Sequence, residues 1–414
     1  MQHKIIDHLF RHHYGKMVAI LTRFFGLAHI ETIEDAVQDT FIKATLQWRN
    51  QRPDNPEAWL TKVAKNRTID LLRSLKSEKN RHQQVSAGTV SIPISDLFLD
   101  HEIEDSQLRM IFVACHPSLK PQEQIAFALK TISGFSTKEI AAALLTREDA
   151  ITKRLQRARA AIVANNIQFE FPAPHELQIR LTRVMEVIYL TFNEGFHSTN
   201  ADNLIREDLC GEAIRLSKLL LKKEKFRSGS MYALFALMCF HAARLESKTN
   251  SDNEIVDIRN QDRNKWHVPM IELAKNALTK SAEYKDVSIY HFEATIAFEH
   301  VKAVTFEDTN WNIILHCYNK LYEIQPSDFA LLNKAIVTIQ LNKLNDAKDI
   351  LESIKYDKLG QRQYLYYGCY AEYYAKMGAM PAAIAFYEKA ITKTSNALEK
   401  AYLLKKKNLL QASN

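Results

Sequence analysis

Two kinds of residue cluster in this 414-residue chain could carry chemistry, and the titratable ones make the weaker case. His8 and His12 stand one helical turn apart, a metal-ligand spacing, but no cysteine or third ligand lies near them in sequence. Asn193, Glu194 and His197 fall together in FNEGFH, among Tyr189, Phe192 and Phe196. A helix over 176–193 is expected to end there, with Gly195 as a left-handed residue past its end. The segment then reads as a packed corner. Asn193 and Glu194, with Arg263 of NQDRNKW (260–266), are candidates for a partner or ligand corner, Asp262 pairing with it and Trp266 packing beneath. There is no phosphate-cradling glycine loop, HExxH or GxSxG. The five cysteines (Cys115, Cys210, Cys239, Cys317, Cys369) are odd in number and form no CxxC, as expected of reduced cytosolic thiols. No catalytic residue, metal or cofactor is expected.

The second kind is cationic. In NPEAWLTKVAKNRTIDLLRSLK (55–76), Asn55 suits an N-cap and Pro56 a first helical position. Trp59, Leu60, Val63, Ala64 and Leu71 form an apolar side. Lys62, Lys65, Asn66, Arg73 and Lys76 line another side at spacings of three, four and seven. A basic stripe with one amide can hold phosphates and still reach a base edge; the alternative is a solvated face. WRNQRPDNP (48–56) is polar, a loop able to accept an unstacked base.

FSTKEIAAALLTREDAITKRLQRARAAI (135–162) repeats the theme. A first helix, 137–145, is capped by Ser136 with Glu139 three residues on. After a turn near Thr146, a second helix buries Ile151, Leu155, Ala158 and Ile162 and turns Arg147, Lys153, Arg154 and Arg157 outward. Two helices, a tight turn and a basic second helix fit a helix-turn-helix whose second helix enters a major groove.

These stripes need helices to hold them, and the whole chain reads as all-α. Ten Gly and ten Pro are few, and apolar residues recur at helical spacing throughout. No apolar run reaches membrane-spanning length and the N-terminus lacks a signal peptide, so a cytoplasmic protein is expected. The net charge of +7 is unevenly placed: residues 1–82 hold 14 Lys/Arg against 9 Asp/Glu, residues 83–106 hold none against 5, and residues 107–170 hold 9 against 5. Two basic domains joined by an acidic linker account for that shift. In TIEDAVQDTFIKATLQW (32–48), a helix is expected to start at Thr32, with Ile33, Ala36, Val37, Thr40, Phe41, Ala44 and Trp48 as its core stripe. Asp35, Gln38, Asp39, Ile42 and Leu46 lie on the opposite face. Large aliphatics among acids there suit a protein partner, unless another helix covers them.

Three of these segments resemble one family in order. SGFSTKEIAAALLTREDAITKRLQRARAAI is similar to region 4 of bacterial sigma factors, IEDAVQDTFIKA to region 2.2, and AWLTKVAKNRTIDLLR to regions 2.3 and 2.4. Their separation resembles the extracytoplasmic-function (ECF) group, with two departures: Leu145 where a Gly is usual and Ala150 where a Ser or Thr is common. IFVACHPSL, IYLTFNEGF, NQDRNKW and DTNWNIILHCYNKL resemble the subgroup with a long tetratricopeptide-like extension. Tyr367, Tyr374, Gly378, Ala383, Tyr387 and Ala390 fit that repeat, and Ala335 and Ala347 precede Ala371 and Ala383 by 36 residues. No period is clear between 175 and 300.

The resemblance implies a transcription initiation factor with core RNA polymerase and promoter DNA as partners. Its domains would be region 2 at 1–82 (polymerase binding and the −10 element), a linker at 83–106, region 4 at 107–170 (the −35 element), a helical extension at 171–300 and repeats at 301–414. The acidic run 96–105 would mimic RNA in the polymerase. The extension would be regulatory, receiving a soluble protein. The rivals are a stand-alone helix-turn-helix regulator and an enzyme housed in the C-terminal part.

Overall fold

Among the described residues of the computed structural model (2–48, 53–80, 100–144, 146–196, 206–251 and 254–412), helices account for all the regular structure apart from a single isolated bridge, Thr249 to Ile255. No helix among them is long and apolar enough to cross a membrane. The chain forms two compact units, Met1–Glu194 and Gly195–Asn414.

The first unit contains α1 (Gln2–Phe25), α2 (Ile30–Gln47), α3 (Pro56–Asn80), α4 (Asp100–Ala114), α5 (Pro121–Thr131), α6 (Thr137–Ala143), α7 (Glu148–Ala164) and most of α8 (Leu177–Phe196). Helix α1 packs on α2 and α4, and α2 on α3. Gly26, at φ 91°, turns the chain between α1 and α2. Helix α2 begins two residues before the expected Thr32, and its N-cap, His29, makes no side-chain bond. The α3 start matches expectation: Asn55 Oδ1 accepts from the Ala58 N–H at 3.0 Å. The acidic segment read as linker to 106 is described from Asp100 onward, where it is already α4; acids in a first turn favour the helix dipole. Residues 96–99 lie outside the described ones.

Tight backbone contact joins α1 to the end of α5. A Cβ on Gly15 would fall 1.8 Å from the Ile132 carbonyl oxygen. Gly134 takes φ 72° beyond α5, where a Cβ would lie 2.8 Å from the Tyr14 ring. Close approach alone requires glycine at 15, while at 134 close approach and positive φ both do.

The second unit contains α9 (Glu207–Lys222), α10 (Gly229–Ala242), α11 (Val268–Ser281), α12 (Ile289–Lys302), α13 (Trp311–Ile324), α14 (Asp328–Gln340), α15 (Leu344–Ser353), α16 (Gln363–Lys376), α17 (Met380–Lys393) and α18 (Ala397–Ala412). Helix α10, GSMYALFALMCFHA, is apolar on every side and accordingly packs against α9, α11 and α12. From α12 to α18 successive helices pack pairwise. Ala335, Ala347, Ala371 and Ala383 are all fully buried, so the 36-residue echo marks equivalent core positions of α14–α15 and α16–α17. The turns keep the same register: Asn342 and Gly378, 36 residues apart, both adopt positive φ (57° and 76°). Gly195 does not end a helix as expected. It lies inside α8, where a Cβ would meet Arg206 O and Leu209 Cβ at 2.8 Å, so close approach of α9 and not backbone handedness requires glycine there.

Candidate polymerase-docking and nucleic-acid interfaces

Helix α2 presents the mixed face expected of it. Ile42 and Leu46 are 53% and 59% exposed, beside exposed Asp35 and Gln38, while Ile33, Ala36, Val37, Phe41 and Ala44 are buried opposite. Partial burial, with Glu31 and Asp39 nearby, pushes the Asp35 carboxyl up. Asp39 is half-buried and engaged: its Oδ2 accepts from Arg67 Nε and Nη2 of α3, each at 2.8 Å. Arg67, absent from the sequence-derived stripe, thereby ties the mixed face of α2 to α3. The sequence signal for Arg67 is the outward Asp39 on the facing helix.

On α3, Lys62, Asn66 and Arg73 are exposed and Lys65 is half-buried. The Lys76 side chain lies outside the described residues, as do those of His8 and His12. The expected base-accepting loop is described only from Pro53; across it Trp48 and Trp59 meet edge to face at 5.4 Å. That contact and the Asn55 cap set where α3 begins.

Helices α6 and α7 form the two-helix element. Ser136 Oγ accepts the Glu139 N–H at 3.1 Å and Glu139 Oε2 accepts the Ser136 N–H at 2.8 Å, a reciprocal cap. Thr137 Oγ1 donates to Glu148 Oε1 at 2.7 Å, and the Thr146 N–H reaches Ala141 O at 2.9 Å, which closes the turn. Leu145 lies outside the described residues. Ile151, Leu155, Ala158 and Ile162 are buried as expected.

The basic residues of α7 have separate fates. Lys153 is exposed and Arg154 half-buried. Arg147, the N-cap residue, is exposed 3.6 Å from Asp149. Arg157 is 61% exposed, yet its Nε lies 3.1 Å from Oε1 of Glu123, which is 6% exposed on α5. Arg159 turns inward: Nη1 donates to Glu31 Oε1 at 2.8 Å and Nη2 donates to the buried Glu34 of α2. Burial pushes the Glu34 carboxyl up while Arg159 works against it.

Near the α8 end, Asn193 and Glu194 are half-buried, and His197 lies outside the described residues. The Arg263 guanidinium donates from Nη1 to the carbonyls of His300 (2.9 Å) and Ala303 (2.8 Å) at the end of α12. Asp262 caps its own turn, accepting the Asn264 N–H at 3.0 Å, and Trp266 is buried beneath Arg263. The five cysteines are buried and free, and burial pushes Cys115 up to about 12.

Residues 9–78 match the family model of Sigma-70 region 2, residues 109–162 that of Sigma-70 region 4, and residues 180–282 a family of unknown function, DUF6596. An uncharacterized protein of Rhizobium meliloti, R00370, is 33% identical over 390 residues, covering 92% of this chain and 90% of its own length. The ECF RNA polymerase sigma factor SigE of Mycolicibacterium smegmatis is 28% identical over 153 residues, 37% of this chain and 58% of that protein. The probable ECF RNA polymerase sigma factor SigI of Mycobacterium tuberculosis is 26% identical over 183 residues, 43% of this chain and 62% of that protein. No solved structure matches.

Proposed function

Since this chain belongs to the ECF sigma factors, in the subgroup with a long helical C-terminal extension, and serves transcription initiation with RNA polymerase, we propose how its surfaces divide that task. Asp35, Gln38, Ile42 and Leu46 of α2 dock on core polymerase, with Asp39 fixing the face through Arg67. Lys62, Lys65, Asn66, Arg73 and Lys76 of α3 hold the opened −10 strand. Arg147, Lys153, Arg154 and Arg157 of α7 contact the −35 element. The observation that carries this reading is the pair of exposed aliphatics, Ile42 and Leu46, set among acids on a helix whose other face is fully buried. A stand-alone DNA-binding regulator has no use for such a face.

The domain plan follows: region 2 at 1–82, region 4 at 107–170, and an extension from 171 that acts as a binding module and not an enzyme. Stacked helix pairs with a 36-residue register build a surface for a soluble regulatory protein. The factor works in the cytoplasm, where core polymerase and promoter are. The test is co-purification of the full chain with core polymerase, followed by run-off transcription from the DNA upstream of its own coding sequence. A transcript that requires the chain supports the reading; DNA binding that is independent of polymerase supports the stand-alone regulator.

A further inference from the structure

At Trp266 the second unit holds two guanidinium groups that no ion pair among the described residues meets. Arg244 is only 8% exposed, and among the described residues its Nη1 has no hydrogen-bond partner; Nη2 of Arg263 is likewise buried and unpartnered there. Both guanidinium groups lie over the same indole, with Cζ of Arg263 at 4.4 Å and Cζ of Arg244 at 5.8 Å from the Trp266 ring centroid. Ser247 locks that indole by accepting from Trp266 Nε1 at 2.9 Å and donating to Arg244 O at 2.8 Å. Gln261 backs Ser247, its Oε1 lying 3.4 Å from Oγ. Gln261, Arg263 and Trp266 of the NQDRNKW motif thus meet at one place.

Lys248 adds a third cation, and burial with the Arg244 charge pushes its ammonium down to about 7. Burial and the Arg263 charge lower Arg244 to about 10, and burial with both arginines brings His300 down to about 3. Ordinary structural duties account for part of the set. Lys248 Nζ donates to Phe196 O at the end of α8, and Arg263 Nη1 serves the end of α12. They do not account for Arg244 Nη1 or Arg263 Nη2. Asp308 and Glu307 act on Arg263 at a distance, but among the described residues no ion pair joins them to it; Asp308 Oδ2 accepts from the Thr305 amide and hydroxyl. A buried guanidinium with no counter-charge is costly, and a group that persists in that state calls for a reason.

We propose that Arg244 and Arg263, set over Trp266, form an oxyanion site that takes the phosphoryl or carboxylate group of a small acidic ligand. Guanidinium N–H edges match oxyanions in geometry, and burial strengthens the contact. His300 is shared with an adjoining groove of about 530 Å³, lined by Phe306, Trp311, Ile314, Tyr318 and Ile336, which offers a route for the rest of the ligand. The site does not depend on the polymerase reading and is tested without polymerase.

The probes are inorganic phosphate and succinate, titrated into the full chain against sodium chloride of equal ionic strength and followed by calorimetry and thermal melting. One of the two is expected to bind saturably and raise the melting temperature, and the one that does assigns phosphoryl or carboxylate. Arg244→Gln is expected to bind at least tenfold more weakly, yet to melt no lower than the natural chain in chloride, because it removes a buried charge that no carboxylate pairs with among the described residues. Lys275→Gln, a change on a half-exposed side chain of α11 that pairs with Glu272, should leave binding unaltered. If Arg244→Gln does not fold, Arg244→Lys replaces it and must lose affinity, since an ammonium lacks the fork. The proposal is overturned if neither anion binds, or if the Arg244 variant binds as tightly as the natural chain.

Discussion

Arg159 of α7 donates to Glu34 of α2 across 125 residues of sequence, and Glu34 is among the most buried acids of the chain. With Glu31 accepting at 2.8 Å on the same guanidinium, one side chain of α7 holds α2 by two carboxylates. Removing one partner of a buried pair leaves the other charged and dry.

Arg159→Met is therefore expected to cost about 3 kcal/mol at neutral pH. The cost should depend on pH with a definite sign. Burial raises the Glu34 carboxyl and Arg159 restrains the rise; without Arg159 it climbs further. An acid whose folded pKa exceeds its unfolded value favours the fold at low pH and loses that advantage as pH rises from the unfolded to the folded value. The deficit should shrink toward about pH 5. Urea unfolding of both proteins at two pH values checks this; a deficit that grows on acidification would refute the assignment.

Ile42→Glu with Leu46→Glu should leave stability within about 0.5 kcal/mol, because both side chains are exposed, and abolish capture by core polymerase. Asp39 is spared, since changing it would also break the Arg67 pair. Unchanged polymerase affinity in a folded double variant would remove α2 as the docking face.

On α7, Lys153→Ala and Arg154→Ala are each expected to lower the log–log salt slope of promoter binding by roughly 0.9, the loss of one phosphate contact. Arg157→Ala should differ by also lowering the melting temperature, because Glu123 is 6% exposed and loses its guanidinium. Identical salt slopes in all three variants and the natural chain would contradict the placement of these residues at the −35 element.

The repeat register can be checked through its turns. Gly378→Val places a branched side chain at φ 76° and should cost about 1–2 kcal/mol. Asn342→Gly, at φ 57°, should be neutral or mildly stabilising. Equivalent melting of the two variants would argue against a shared left-handed turn.

What the sequence determined by itself was local. Helical spacing predicted which faces of α2, α3 and α7 are buried, Asn55 and Ser136 announced two helix starts, and the 36-residue alanine echo located two equivalent helix pairs. Those features depend on neighbours within a turn or two, so the pattern contains them. Motif order sufficed for the family as well. The tertiary structure alone decided partners. RLQRAR reads as one basic run, yet Arg159 turns inward to Glu31 and Glu34, and Arg157, though exposed, is paired with Glu123. Gly195 looked like a helix end because spacing cannot show that Arg206 and Leu209 press against it. No local pattern marks Arg244, since nothing nearby in sequence reveals that folding sets it, like Arg263, over Trp266 with no ion-pair partner among the described residues. Periodicity gives the direction of a side chain, but the charge it meets comes from distant elements brought close by core packing.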